Sequence, residues 1–163
     1  IFLLLFWLIA SYDTQSNGIF VQERIGQWGR VFTIYKLKTM HPKNDKISCI
    51  GLFFRKTKID ELPQLWNVLK GDMSFVGPRP DVAGYYDVLE GEARKILELK
   101  PGITCEASIK YRNEEELLEL QSDPLLYNDA VIFPDKVQLN LAYYYNRSFW
   151  GDMQLILKTV FGR

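Results

Sequence analysis

Apolar and polar positions follow three patterns along the chain. The first ten residues, IFLLLFWLIA, are apolar without a break. From Val31 the pattern alternates, with Val31, Thr33, Tyr35 and Leu37 on one side and Phe32, Ile34, Lys36 and Lys38 on the other. That is the period of a strand, and it sets Lys36 and Lys38 on one face. The shorter run Ile19–Gln22 is also β-like, and the two glycines of GQWGR between the runs predict a β-hairpin. His41-Pro42 ends the second strand, and a polar loop follows to Ser48, in which His41 reads as a solvated side chain.

Beyond that loop the spacing is mostly helical. A short helix is expected over Ile50–Thr57. A second starts at Asp60 as its N-cap, carries Leu62, Leu65, Trp66 and Leu69 on an apolar face, and stops at Gly71. Pro63 is tolerated there because it falls in the first turn. Ala83–Leu99 reads as a helix and KPGIT breaks it. Cys105–Tyr111 reads as a strand. Glu114–Gln121 reads as an acidic helix with Leu117, Leu118 and Leu120 inward. Helices are then expected over Val137–Tyr145 and Phe149–Phe161, the latter with Trp150, Met153, Ile156, Leu157, Val160 and Phe161 apolar. The sum is an α+β fold, mainly helical, in a single domain with a short β-hairpin.

The apolar opening is too short to span a bilayer, and it lacks the basic start and small-residue cleavage site of a secretory signal. It reads as a core helix, as one arm of a re-entrant hairpin or as an interfacial anchor. With Leu, Phe and Trp on every face, a membrane role is favoured. The aromatic stretch AYYYNRSFW suits a membrane interface as well as a core.

Charge sharpens the picture. The chain of 163 residues has 20 basic and 20 acidic residues, unevenly placed. Phe20–Lys58 holds nine Lys/Arg against two acids, whereas Asn113–Asp135 holds seven acids and no base. Either one face meets an anion, or the two blocks pair or are solvated. Two cysteines without CxxC spacing and a single histidine argue against a zinc site, and the cysteines read as buried apolar residues in a reducing compartment. There is no phosphate-binding GxxxxGK[ST] loop, no GxGxxG after a strand and no GxSxG elbow. The basic residues form no recognisable nucleic-acid reading element.

The stretch RKTKIDELPQLWNVLKGDMSFVGPRP concentrates the candidate chemistry. Asp60 admits two readings. As an N-cap it contributes about 1 kcal/mol of stability. As a nucleophile it attacks a phosphorus centre, which needs a divalent cation and basic groups to offset repulsion between carboxylate and phosphate. Glu61 suits the cation, since Mg²⁺ takes one or two carboxylates together with phosphate oxygens and water. Arg79 sits between Pro78 and Pro80, and its guanidinium fork suits phosphate. Arg55, Lys36, Lys38 and Arg112 are further candidates for an anionic ligand.

This block, with QERIGQWGRVFTIYKLKTM before it and KPGIT after it, resembles the bacterial sugar transferases, the monotopic phosphoglycosyl transferases that initiate surface glycan assembly. The resemblance covers nearly the whole chain, with residues 1–12 as a membrane-associated arm and 19–163 as the catalytic part. It implies transfer of a sugar-1-phosphate from a UDP-sugar to a polyprenyl phosphate, with UMP released, on the cytoplasmic face of a bacterial inner membrane. It further implies Mg²⁺, a covalent phosphosugar on Asp60, Glu61 as metal ligand, and Arg79, Arg55, Lys36 and Arg112 as substrate-binding residues. Membrane lipid is an implied partner and nucleic acid is not. Ile1–Ala10 would be the second arm of a re-entrant helix, flanked elsewhere by interfacial amphipathic helices. Two features depart from the family pattern. Cys105 and Glu106 replace the glycine and tryptophan that usually follow PGIT, and the acidic segment through Asp135 looks like an insertion. A transferase that moves only the sugar, and a non-enzymatic membrane-binding module, are the alternatives.

Overall fold

A computed structural model describes residues 1–43 and 45–162. The described chain is mainly helical, with two small two-stranded sheets. It forms two compact units that interleave in sequence: 1–24 with 31–73, and 25–30 with 74–163.

The first unit begins with α1, Phe2–Thr14. Its helix ends where Gln15 turns into the left-handed region, and Thr14 Oγ1 donates to the Ala10 carbonyl. β1 (Ile19–Ile25) and β2 (Val31–Leu37) pair in one sheet. The connection of five residues allows only the antiparallel hairpin expected from the alternation. α2 (Cys49–Thr57) is capped by Ser48, whose hydroxyl accepts from the Gly51 amide. Ala10, Leu37 and Phe54 form the core, with Phe6, Trp7, Ile9, Ile19 and Ile59 against it. The Phe6 and Phe54 rings meet edge to face at 5.7 Å. Gly51 is required by close approach, because a Cβ there would lie 2.1 Å from the Thr39 carbonyl oxygen.

After α2 the chain departs from expectation. Lys58 adopts φ 59°, a left-handed conformation costly for a residue with a Cβ. It ends α2 and starts a 3₁₀ turn over Ile59–Gln64, followed by α3, Leu65–Lys70. Asp60 therefore lies inside the turn and caps nothing. Pro63 explains the 3₁₀ geometry, since it has no N–H to give the Ile59 carbonyl an α-type bond. Gly71 stops α3 as expected, at φ 84°. The predicted apolar face is only half realised, because Trp66 and Leu69 are exposed. The fully buried residue of α3 is Asn67, whose side chain donates to the Thr33 carbonyl at 2.6 Å.

The second unit is built on β3 (Ser74–Val76) and β4 (Gly102–Thr104), a parallel pair with Ser74 opposite Gly102 and Val76 opposite Thr104. Their backbones are too close for a side chain at Gly102, where a Cβ would meet the Gly77 amide at 2.2 Å. The expected long helix over Ala83–Leu99 is instead two 3₁₀ segments, Tyr86–Val88 and Gly91–Glu98. Gly91, at φ 57°, opens the second of them. Cys105–Tyr111 is not a strand either. β4 ends at Thr104, and Cys105 caps α4, Glu106–Lys110, with its sulfur accepting from the Ser108 amide. Short helices α5 (Glu114–Glu119) and α6 (Pro124–Tyr127) and one π-turn (Asn128–Ile132) lead into α7, Phe133–Asn146. Leu120 lies beyond α5 and is exposed, not inward. α8 runs Phe149–Phe161, as its spacing predicts, capped by Ser148. Ile25, Tyr86, Ile96 and Leu97 form this core, with Leu89, Phe133, Val137 and Leu141 packed on it. Inside it Asn140 donates to the Tyr86 hydroxyl at 2.9 Å.

Of the two cysteines, Cys105 is buried as expected, but Cys49, at the start of α2, is exposed. No described helix is long and apolar enough to cross a membrane.

Candidate active site

Asp60 and Glu61 are held by three local features: the left-handed Lys58, the 3₁₀ turn and β2. Glu61 is only 6% exposed. Lys36 reaches it from β2, with Nζ 3.5 Å from Oε1. Lys38 does not share this site. β2 ends at Leu37, and the Lys38 ammonium donates to Ser16 Oγ at 3.3 Å. The period-two expectation of a shared face fails because the strand stops one residue too early.

Asp60 carries the distinctive electrostatics. Its Oδ1 is buried and accepts no hydrogen bond. Burial pushes the carboxyl above its ordinary value, and the adjacent Glu61 charge adds to the rise. Lys36 and Lys58 pull the other way, as does an internal backbone hydrogen bond. An N-capping carboxylate would show the opposite, an oxygen held by amide donors and a lowered pKa.

Arg55, on the last turn of α2, belongs to the same unit. Its Nε donates to Thr39 Oγ1 at 2.9 Å, and Nη2 meets Met40 Sδ at 3.2 Å. Thr39 is buried and steers this guanidinium, a role the sequence did not signal. Lys58 was also missed, since nothing in the residue type announces its positive φ.

Arg79 and Arg112 belong to the second unit. Arg79 is half-buried, fixed between Pro78 and Pro80, and lines a small cavity of about 20 Å³ with Ile25, Gly26 and Tyr86. Arg112 reaches the end of α8: Nη1 donates to the Gly162 carbonyl, and Nη2 to the Thr159 carbonyl at 3.3 Å. A cation at these carbonyls complements the negative end of the helix.

Among the described residues no three His, Cys, Asp or Glu side chains cluster as a metal site. The donors at hand are the Asp60–Glu61 pair, one of whose oxygens is buried without a partner. Two carboxylates fit a cation that takes its remaining oxygens from substrate and water, which is the habit of Mg²⁺.

Buried Glu61 and half-buried Asp60, with a lysine against the first, form on a mainly helical scaffold an arrangement suited to phosphate chemistry once a cation is bound. The bacterial sugar transferase family model matches residues 1–162, and the chain belongs to that family. The match runs through both interleaved units. The chain is 35% identical to galactosyl transferase CpsE of Streptococcus agalactiae, over 88% of this chain and 34% of that protein. It is 36% identical to an uncharacterized sugar transferase, EpsL, of Bacillus subtilis, over 89% of this chain and 69% of that one. It is 32% identical to the UDP-glucose:undecaprenyl-phosphate glucose-1-phosphate transferase of Caulobacter vibrioides, over 97% of this chain and 61% of that one. The chain thus spans from about a third to about two thirds of the length of these relatives.

Proposed function

We propose that the protein transfers a sugar-1-phosphate from a UDP-sugar to a polyprenyl phosphate and releases UMP, working at the cytoplasmic face of a bacterial inner membrane. The observation that carries the reading is the buried, unpartnered Oδ1 of Asp60 beside Glu61. An oxygen left without a donor is costly unless a ligand completes it. The relative from Caulobacter is named for the same class of reaction.

Asp60 acts as the nucleophile. A carboxylate oxygen attacks the β-phosphorus, the bond from that phosphorus to the bridging oxygen breaks, and UMP leaves with the electron pair. A phosphate oxygen of the polyprenyl phosphate then attacks the phosphosugar, the bond to Asp60 breaks, and the carboxylate is restored. Glu61 would hold Mg²⁺, which when bound supplies positive charge against the phosphate oxygens. Lys36 pairs with Glu61 and favours the charged form of Asp60. Arg55 and Arg79 bind phosphate oxygens, and Arg112 does so once withdrawn from the end of α8. The exposed apolar residues of α1 (Phe2, Leu4, Leu5 and Leu8) support a membrane seat, as do Phe149, Trp150, Val160 and Phe161 of α8.

Intact mass of the protein after incubation with UDP-sugars and Mg²⁺, without lipid acceptor, tests the covalent step. The expected result is one sugar-phosphate adduct that maps to Asp60 and disappears when polyprenyl phosphate is added. Release of UDP in place of UMP would sink the phosphosugar reading in favour of simple sugar transfer.

A further inference from the structure

A cleft of the second unit lies away from any residue given a role above. It has a volume of about 240 Å³ and is lined by Gln27, Ser74, Glu98, Lys100, Tyr143 and Arg147, together with Val76 and Leu99. That is far above the roughly 10–15 Å³ one water needs. Its polar groups fall into two sets. Four are already engaged. Gln27 Nε2 donates to the Glu98 carbonyl at 2.8 Å, and Ser74 Oγ to the Val76 carbonyl at 2.5 Å. The Tyr143 hydroxyl donates to Asp152 at 2.8 Å, and Glu98 Oε2 accepts from Tyr144 at 2.6 Å.

Lys100 and Arg147 are the other set. Among the described residues neither has a carboxylate within ion-pair distance or a hydrogen-bond acceptor for its side chain. Arg147 only lies over the Tyr144 ring, at 5.7 Å. Two cations against the single carboxylate of Glu98 leave the lining one positive charge in excess. That matches a phosphodiester headgroup with no cation of its own, which carries a net charge of −1. The guanidinium fork and the ammonium are suitable donors to its two free oxygens.

The chain around Arg147 shows where such a group would come from. Arg147 stands in the break between α7 and α8, two residues before Phe149 and three before Trp150. These two rings pack edge to face at 5.4 Å and are largely exposed, with Trp150 75% exposed. Cations in a cleft next to exposed aromatic rings are the pattern of a site at the headgroup level of a bilayer. We propose that this cleft binds the phosphodiester headgroup of an anionic membrane phospholipid, separate from the phosphates that react at Asp60. The proposal rests on the membrane seat of the domain proposed above.

Co-sedimentation of the purified protein with vesicles tests it, comparing phosphatidylcholine alone with phosphatidylcholine containing phosphatidylglycerol. Wild type is expected to bind both, and the anionic vesicles about thirtyfold more tightly at low salt. Lys100→Gln with Arg147→Gln should remove most of that increment and keep the phosphatidylcholine binding. Lys100→Arg with Arg147→Lys should restore it, which separates charge from misfolding. The same loss in a Lys43→Gln, Lys56→Gln protein would overturn the proposal, because any two surface charges would then serve. So would millimolar inorganic phosphate that abolishes the increment, since the site would then be one for free phosphate. Equal binding of wild type to both vesicles overturns the cleft alone. No binding to either overturns the membrane seat with it.

Discussion

Two acidic regions of this molecule show opposite electrostatics. In the acidic segment and the start of α7, Glu114 and Asp135 have each found partners. Glu114 takes the Lys136 ammonium on both oxygens, at 2.7 and 2.8 Å. Asp135 accepts from Lys110 at 2.7 Å and from the Tyr111 hydroxyl at 2.8 Å, and these bonds hold its carboxyl below the usual value. At Asp60 and Glu61 the order is reversed. Two carboxylates adjoin, Lys36 answers one of them at 3.5 Å, and burial raises the other. Acids that serve structure are stabilised as anions by their neighbours. Asp60 is held at a cost, and groups held that way cluster at functional sites.

The largest effect should come from Asp60→Asn. Turnover, followed as UMP release, is expected to fall about a thousandfold or more, because no oxygen nucleophile remains. Stability should move the other way. A carboxyl whose folded-state pKa lies above its unfolded value costs stability once ionised. That cost is full above the raised pKa, eases as pH falls through it, and is gone below the unfolded value near 3.8. Asp60→Asn should therefore raise Tm at neutral pH by a few degrees, on the scale of about 2–4 °C per kcal/mol. A lower Tm would make Asp60 a structural acid like Asp135.

Glu61→Gln should come next, with kcat down about a hundredfold and more Mg²⁺ needed for half-maximal rate; chelation with EDTA should stop wild-type turnover. Lys36→Met is expected to follow. It removes the cation that favours ionised Asp60, so the acidic limb that Asp60 sets in the kcat/KM–pH profile should move to higher pH. Tm should also drop, because buried Glu61 loses its lysine at a cost of about 2–3 kcal/mol. An unmoved acidic limb would assign that limb to a group other than Asp60.

Much of this site could be read from residues alone, and the reason is local. The hairpin, α2, α8 and the Gly71 stop were legible because alternation, 3.6-residue spacing and turn glycines act within a few residues. Asp60 and Glu61 stood out as adjacent acids before an apolar run, although that cue pointed to an N-cap. The cap reading failed on two backbone facts, the positive φ of Lys58 and the missing N–H of Pro63, and only the second is visible in sequence. The stretch 83–99 read as a helix because its apolar spacing suits one, yet Gly91 takes a left-handed turn and splits it. The lysine that meets Glu61 lies 25 positions before it in sequence, so no spacing rule could choose between Lys36 and Lys38. Burial of Asn67, and of Thr39 beneath Arg55, depends on packing between elements and left no trace in the pattern.

The smallest effect, and the sharpest check on the comparison, belongs to Asp135→Asn. Its carboxyl is held low by Lys110 and Tyr111, so it contributes stability that is full above the unfolded value near 3.8. That contribution declines as pH falls through the lowered folded-state pKa. The pair is largely solvent-facing, and such pairs are worth little. Asp135→Asn should thus lower Tm by about 1–2 °C at pH 7, and the difference from wild type should vanish in acid. UMP release should stay within about twofold of wild type, since nothing at Asp135 resembles the strained pair. Thermal melts of Asp60→Asn and Asp135→Asn from pH 3 to pH 8 would then diverge from wild type in opposite directions as pH rises. If both fell below wild type at neutral pH, the acids would be of one kind and the case for Asp60 as nucleophile would rest on turnover alone.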